Sequence, residues 1–377
     1  MVAFKILAGG YDVFVATYLF NSATSSLSLV SKSPTGPNPS WLSLHPKNPN
    51  IFAVNEASTG ALQSFQITSS GALSQAVDTV SSGGDSPAYA AALSTGAVAV
   101  FNYNSGTGRI VSTTSNPLKF DNSAGVISFP QPQGGASHPH MALEYGSEIL
   151  IPDLVGPDLF AESFDSKLTF VIIQGSDTIW RLAQAGSAYK VQGSIPQPRG
   201  SGPRHIAIAN NRLFTLHELA STLSVQTLPA APNATATLIA TASIKPPNPP
   251  AGAQFAAAEI LIPPTTAAFP TQYIYVSNRN TGVQDPRGDA IAIFQHVNVG
   301  TSSEGLKLVN HVYTGINQPR GMAFGPADGR GGEEFLVVAG VAGNAGTKVF
   351  KRTEGGKNLQ LVVTNLDIPT RTAFVWL

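Results

Sequence analysis

GPRHIAIAN at residues 202–210, followed at once by LFTLHE at 213–218, is a proline-led step into a short apolar strand and then a second apolar strand ending on a polar residue. The same unit recurs along the chain. It reads NPSWLSLHP (38–46) with IFAVNE (51–56), SPAYAAALS (86–94) with VAVFNY (98–103), and HPHMALEYG (138–146) with ILIPDL (149–154). An imperfect copy pairs AAAEILIPP (256–264) with YIYVSNR (273–279), and QPRGMAFGP (318–326) goes with FLVVAG (335–340). The spacing, roughly 45–65 residues, is that of a propeller blade. Six blades are explicit. A seventh is assembled from both termini, KILAGGYDVFVATYLF (5–20) and RTAFVWL (371–377), which closes the ring and removes the open sheet edges. The fold class is all-β, a single seven-bladed propeller spanning residues 1–377.

The composition agrees. Only 12% of the 377 residues are charged, and glycine and proline punctuate the strands in stretches such as SSGG, NSGTG and GPADGRGG. Lysine plus arginine equals aspartate plus glutamate, 22 each, which argues against nucleic acid as a partner. No window approaches 20 apolar residues, so no helix is expected to span a membrane. The absence of cysteine removes disulfides and thiolate metal sites and fits a cytoplasmic protein. The Pro-rich PPNPPAGAQ (246–254) reads as a loop between blades. NYNSGTG (102–108) has the glycines of a phosphate cradle but reads as a hairpin turn.

Val155–Gln174 interrupts the repeat. Excising it leaves ILIPDLGSDTIWRL, a hairpin of ordinary loop length. A valine codon begins GT, a glutamine codon can be CAG, and Leu168–Thr169 can encode CTGAC. The segment therefore reads either as a retained intron or as a genuine surface insertion.

Equivalent blade positions are related by rotation about the channel axis. The residues after the prolines, Ser40, Ala88, His140, Arg204 and Arg320, should form one ring at the channel mouth. The ends of the second strands, Glu56, Tyr103, Asp153, Glu218 and Arg279, should form another. Taken together they change from Ser40, Ala88 and Tyr103 in the early blades to His, Arg and Glu in the later ones. That asymmetry is what a binding pocket needs. His138 and His140 share a strand face as a metal pair would, but no third ligand is suitably spaced. No metal or cofactor is expected. Alternation along the strand predicts that His205 faces away from Arg204 into the sheet packing.

PNPSWLSLHP with AVNE, FNYNSGTG, SHPHM with IPDL, GPRHIAI with LHEL, and YIYVSNR together resemble the lactonase-type seven-bladed propellers. That family includes bacterial 6-phosphogluconolactonases and fungal 3-carboxy-cis,cis-muconate lactonizing enzymes. The resemblance implies a site of His140, Arg204, Glu218 and Arg279. It also implies a small anionic lactone or a polycarboxylate as substrate. Glu218 is then the base that activates water, His140 and Arg204 are its catalytic partners, and Arg279, Arg320 and His138 bind substrate. The same set also suits cyclisation of an unsaturated diacid. Further alternatives stay open: Glu218 and Arg204 as a structural ion pair, Asp153 and Glu56 as turn caps, and a propeller that only binds a partner.

Overall fold

In the computed structural model the described residues are 2–130, 136–154, 158–164, 167–173, 177–186, 188–230, 232 and 234–377, with backbone only for 158–164 and 167–173. Seven sheets surround one axis. Blade 1 runs through Leu42–Leu44, Asn50–Asn55, Ala61–Gln66 and Asp78–Ser81. Blade 2 has Pro87–Ala92 innermost and Ile127–Ser128 outermost. Blade 3 has a broken inner strand, His138–Pro139 and Leu143–Tyr145, followed by Glu148–Leu154, Thr178–Ala185 and Ala188–Pro196. Blades 4, 5 and 6 begin at Pro203–Ala209, Phe255–Leu261 and Pro319–Phe324. Blade 7 combines the two ends of the chain. Ala373–Trp376 is its inner strand, paired antiparallel to Ala3–Gly9 with Ile6 opposite Trp376 and Gly9 opposite Ala373. The ring is closed as the repeat implies.

The apolar strands are buried on both faces because each sheet packs between two others. Phe52, Val54 and Leu62 of blade 1 meet Ala90, Val98 and Val100 of blade 2. Phe214 and Leu216 of blade 4 meet Ile274 and Val276 of blade 5. Each fully buried side chain of this kind stabilises by about 1.5–3 kcal/mol. At the closure, the Trp376 indole stands edge-on to Phe4 (5.5 Å between centroids) and Phe20 (6.0 Å), and its Nε1–H donates to the Ala323 carbonyl of blade 6.

The residue before the proline repeats its conformation as well as its place. Asn38, Ser86, Gly202 and Gln318 all have φ between 51° and 65°, the left-handed region that turns the chain into the inner strand. Residues 246–254 connect blade 4 to blade 5, as the loop reading expects. Within 155–174 the strands Asp158–Phe164 and Lys167–Ile173 form a two-stranded sheet of their own. The blade strands on either side pair directly, Asp153 opposite Thr178. The segment's remaining residues, 155–157, 165–166 and 174, lie outside the described ones.

Candidate active site

The inner strands carry a device that aims side chains at the axis. In blades 2, 4 and 6 the pairing register slips just after the proline, between Pro87 and Tyr89, Pro203 and His205, and Pro319 and Gly321. The bulged residues are Ala88, Arg204 and Arg320. An extra residue drops out of the ladder and its side chain is redirected. In blade 3 the strand instead breaks after Pro139, and the His140 amide donates to the Pro152 carbonyl. Blade 5 lacks the proline but slips between Ala257 and Ile260.

These positions, with the ends of the second strands, enclose a pocket of about 160 Å³ lined by Glu56, Ala88, Tyr103, His140, Arg204, Glu218, Arg279 and Arg320. Six different blades contribute. Glu218 is the hinge of its electrostatics. Its Oε2 lies 2.9 Å from Arg204 Nε, an ion pair without hydrogen-bond alignment, and its Oε1 accepts from Arg279 at 2.5 Å. Arg204 is also anchored on the Ala258 carbonyl, and Arg279 on the carbonyls of Ala256 and Ala257. The slip in blade 5 takes Ala258 out of the ladder, and it is the Ala258 carbonyl that Arg204 uses. Burial pulls the Glu218 carboxyl up, but Arg279 and Arg204 outweigh it and hold it below its ordinary range.

On the opposite wall, Arg320 lies 3.6 Å from Glu56 and over the Tyr11 ring. The Tyr11 hydroxyl donates to the Glu56 carboxylate, and burial helps push that phenol up to about 12. Three guanidiniums face two carboxylates, so one positive charge is unmatched. His140 is 4% exposed. Burial, followed by Arg204, His205, Arg320 and Arg279, drives its imidazole well below the ordinary range, and it is neutral at pH 7.

His138 is not among the lining residues. Its ring stacks on Tyr103 at 4.6 Å and its Nδ1 meets the Tyr103 carbonyl, so it buttresses the wall. Ser40 is also absent from the lining; its carbonyl accepts from Thr372. Asp153 is turned into the blade, accepting from Ser137, the His138 amide and the Trp180 indole. Burial raises its carboxyl to about 6.

His205 departs from the alternation argument. The slip after Pro203 breaks the two-residue period, and the imidazole is turned toward the inner strands of other blades instead of into sheet packing. There it meets His140 of blade 3 and Glu259 of blade 5, with Trp41 of blade 1 and Tyr89 of blade 2 edge-on to it. Glu259 was not singled out from sequence. The signal was an acid inside the apolar run AAAEIL, in the one copy that lacks the proline.

The family described as lactonase, 7-bladed beta-propeller, matches residues 5–376. The chain belongs to this lactonase family. Solved structures carry the same architecture. A protein from Lactobacillus plantarum is 20% identical with both chains covered in full and a TM-score of 0.78. The periplasmic gluconolactonase of Pseudomonas aeruginosa is 19% identical, covering 100% of this chain and 99% of its own, with a TM-score of 0.77. A candidate 6-phosphogluconolactonase from Bacteroides fragilis gives 19%, 100% and 98%, and 0.77. At such identities the likeness establishes the fold. An uncharacterized protein of Staphylococcus saprophyticus is 26% identical over 200 residues, and the match spans about half of each chain. No helix among the described residues is long and apolar enough to cross a membrane.

Proposed function

We propose that the pocket opens a small anionic lactone with water, in the manner of a 6-phosphogluconolactonase. The observation that carries this reading is a neutral, buried His140 on the wall of a small pocket with one unmatched positive charge. His140 Nδ1 is turned toward His205, which leaves Nε2 for the pocket. Nε2 takes a proton from water as the water oxygen attacks the lactone carbonyl carbon. The oxyanion that develops is stabilised by a guanidinium, already oriented before the reaction. Collapse breaks the ring C–O bond, and the proton on His140 passes to the leaving alkoxide. The product is the open hydroxy acid.

In this reading His140 replaces Glu218 as the base. Both Glu218 oxygens are engaged by guanidiniums, Oε2 beside Arg204 and Oε1 on Arg279, which commits the carboxylate to them. Glu218 instead fixes Arg204 and Arg279 for the substrate. Arg320, the more loosely paired cation, binds the substrate's anionic group. His138 acts on the substrate only through Tyr103.

Three guanidiniums around one pocket also suit a polycarboxylate, so 3-carboxy-cis,cis-muconate belongs beside 6-phosphogluconolactone and uncharged aldonolactones in a substrate panel followed by pH-stat or absorbance. The expected result is ring opening of the anionic lactone, with uncharged lactones slower. His140→Gln should cost roughly 100-fold or more in kcat. Preferential turnover of the muconate would transfer the site to cyclisation. No turnover of any compound would leave a binding module.

A further inference from the structure

Beneath the pocket floor, three titratable side chains from blades 3, 4 and 5 form a continuous chain. His140 Nδ1 lies 3.2 Å from His205 Nε2, and His205 Nδ1 lies 2.8 Å from Glu259 Oε1. All three are buried, His205 completely. The Ile260 amide donates to the same Oε1 at 3.0 Å, and the Glu259 amide is tied to Ser277 Oγ. The stacked Trp41 and Tyr89 rings, 4.3 Å apart, close the axis against His205.

We propose that Glu259 and His205 are positioning residues that hold His140 as the Nδ1–H tautomer, with the Nε2 lone pair presented to the pocket. The proposal rests on the reading of His140 as the base.

The argument is one of proton counting. A carboxylate has no hydrogen to give, so Glu259 Oε1 accepts from both the Ile260 amide and His205, and His205 Nδ1 carries the hydrogen between them. Burial, the largest effect on His205, favours its neutral form. A neutral ring with hydrogen on Nδ1 has a bare Nε2, which then requires a hydrogen on His140 Nδ1. His140 Nε2 is left as a lone pair, the state a general base needs.

The arrangement also answers an electrostatic difficulty. When His140 takes a proton it is faced by Arg204, Arg279 and Arg320 around the pocket, all opposing its charge. Glu218 and Glu56 are already engaged by those arginines. Tyr103, edge-on to His140 at 5.9 Å, carries no charge at neutral pH. Glu259 is the carboxylate that reaches His140 through His205, so the imidazolium is stabilised from below.

The first test reads the wild-type protein. With histidine-selective 15N labelling, long-range 1H–15N correlation spectra distinguish the tautomers. The His140 signal is assigned by its loss in His140→Gln. A bare Nε2 and protonated Nδ1 on His140 are expected near pH 7.5. A proton on Nε2 overturns the proposal, whether or not any lactone is turned over. That separates its failure from failure of the lactonase reading. The second test is kinetic. Glu259→Gln should lower kcat by about 100-fold, the low end of what a general base supplies, with KM changed less than twofold. The acid limb of kcat/KM should move to lower pH, because protonated His140 has lost its counter-charge. Glu259→Asp should recover part of the rate. An unmoved pH profile and an undiminished kcat in Glu259→Gln would leave Glu259 a structural residue only.

Discussion

Replacing Glu218 with Gln separates the two roles that a carboxylate in this pocket can have. The substitution preserves shape and one acceptor oxygen but removes the charge shared by Arg204 and Arg279. Arg204 is 2% exposed, and burying a charge whose partner has been removed costs about 3–5 kcal/mol. Glu218 is itself 18% exposed and Gln still accepts one hydrogen bond, which puts the loss at about 3 kcal/mol, the lower end. At about 2.1 cal/mol/K of unfolding entropy per residue, 377 residues give about 0.8 kcal/mol/K. The melting temperature should therefore fall by about 4 °C. An anionic product at about 100 times its Kd should restore about 2.7 kcal/mol, because it supplies the missing negative charge. If His140 is the base, kcat stays within a few-fold and KM falls. Calorimetry with and without product, alongside initial rates, reads all of this. A roughly 100-fold loss of kcat with no change in melting would refute the reasoning and return the base to Glu218.

Trp376→Ala should remove about 3–5 kcal/mol, or about 4–6 °C by the same conversion, because the indole joins Phe4, Phe20 and the Ala323 carbonyl at the closing blade. An unchanged melting temperature would count against closure as a source of stability. Deleting Val155–Gln174 should shift stability by no more than about 0.5 kcal/mol, since Asp153 and Thr178 already pair across the gap. Sequencing the mature transcript then decides between insertion and retained intron. His217, whose pKa burial lowers from 6.5 to about 4, makes the folded state bind fewer protons than the unfolded chain in that window. Its contribution is present above pH 6.5 and declines by up to about 3 kcal/mol as pH falls to 4. Asp153, raised to about 6, acts with the opposite sign but cancels when the wild type is compared with His217→Gln by denaturant unfolding at each pH. A difference that stays flat with pH would remove His217 from the account.

The blades were legible because each copy carries its own punctuation, a proline step and a polar strand end. The grouping at the mouth followed from rotational equivalence, which puts His140, Arg204, Glu218, Arg279 and Arg320 on one pocket although they come from four blades. Equivalence in sequence did not extend to Asp153, whose side chain is taken by Ser137, Trp180 and the His138 amide, or to Ser40, which lies off the pocket lining. His205 was misread for a different reason. Alternation presumes an unbroken ladder, and a one-residue slip reverses the face of everything on one side of it. Glu259 sits in the degenerate fifth copy, where a repeat-based reading has least purchase. Its importance comes from three-dimensional neighbours on other blades.

The same slips bear on how such a protein diversifies. A residue expelled from the ladder contributes to the mouth without contributing a rung, so its side chain can change while the blade's pairing stays as it was. Ala88, Arg204 and Arg320 occupy that position in three blades with three different surroundings. Ala88 already forms part of the pocket wall with a single methyl group. A new substrate preference is therefore within reach of point substitutions there, and descendants of one ring can part ways chemically while remaining superimposable as scaffolds.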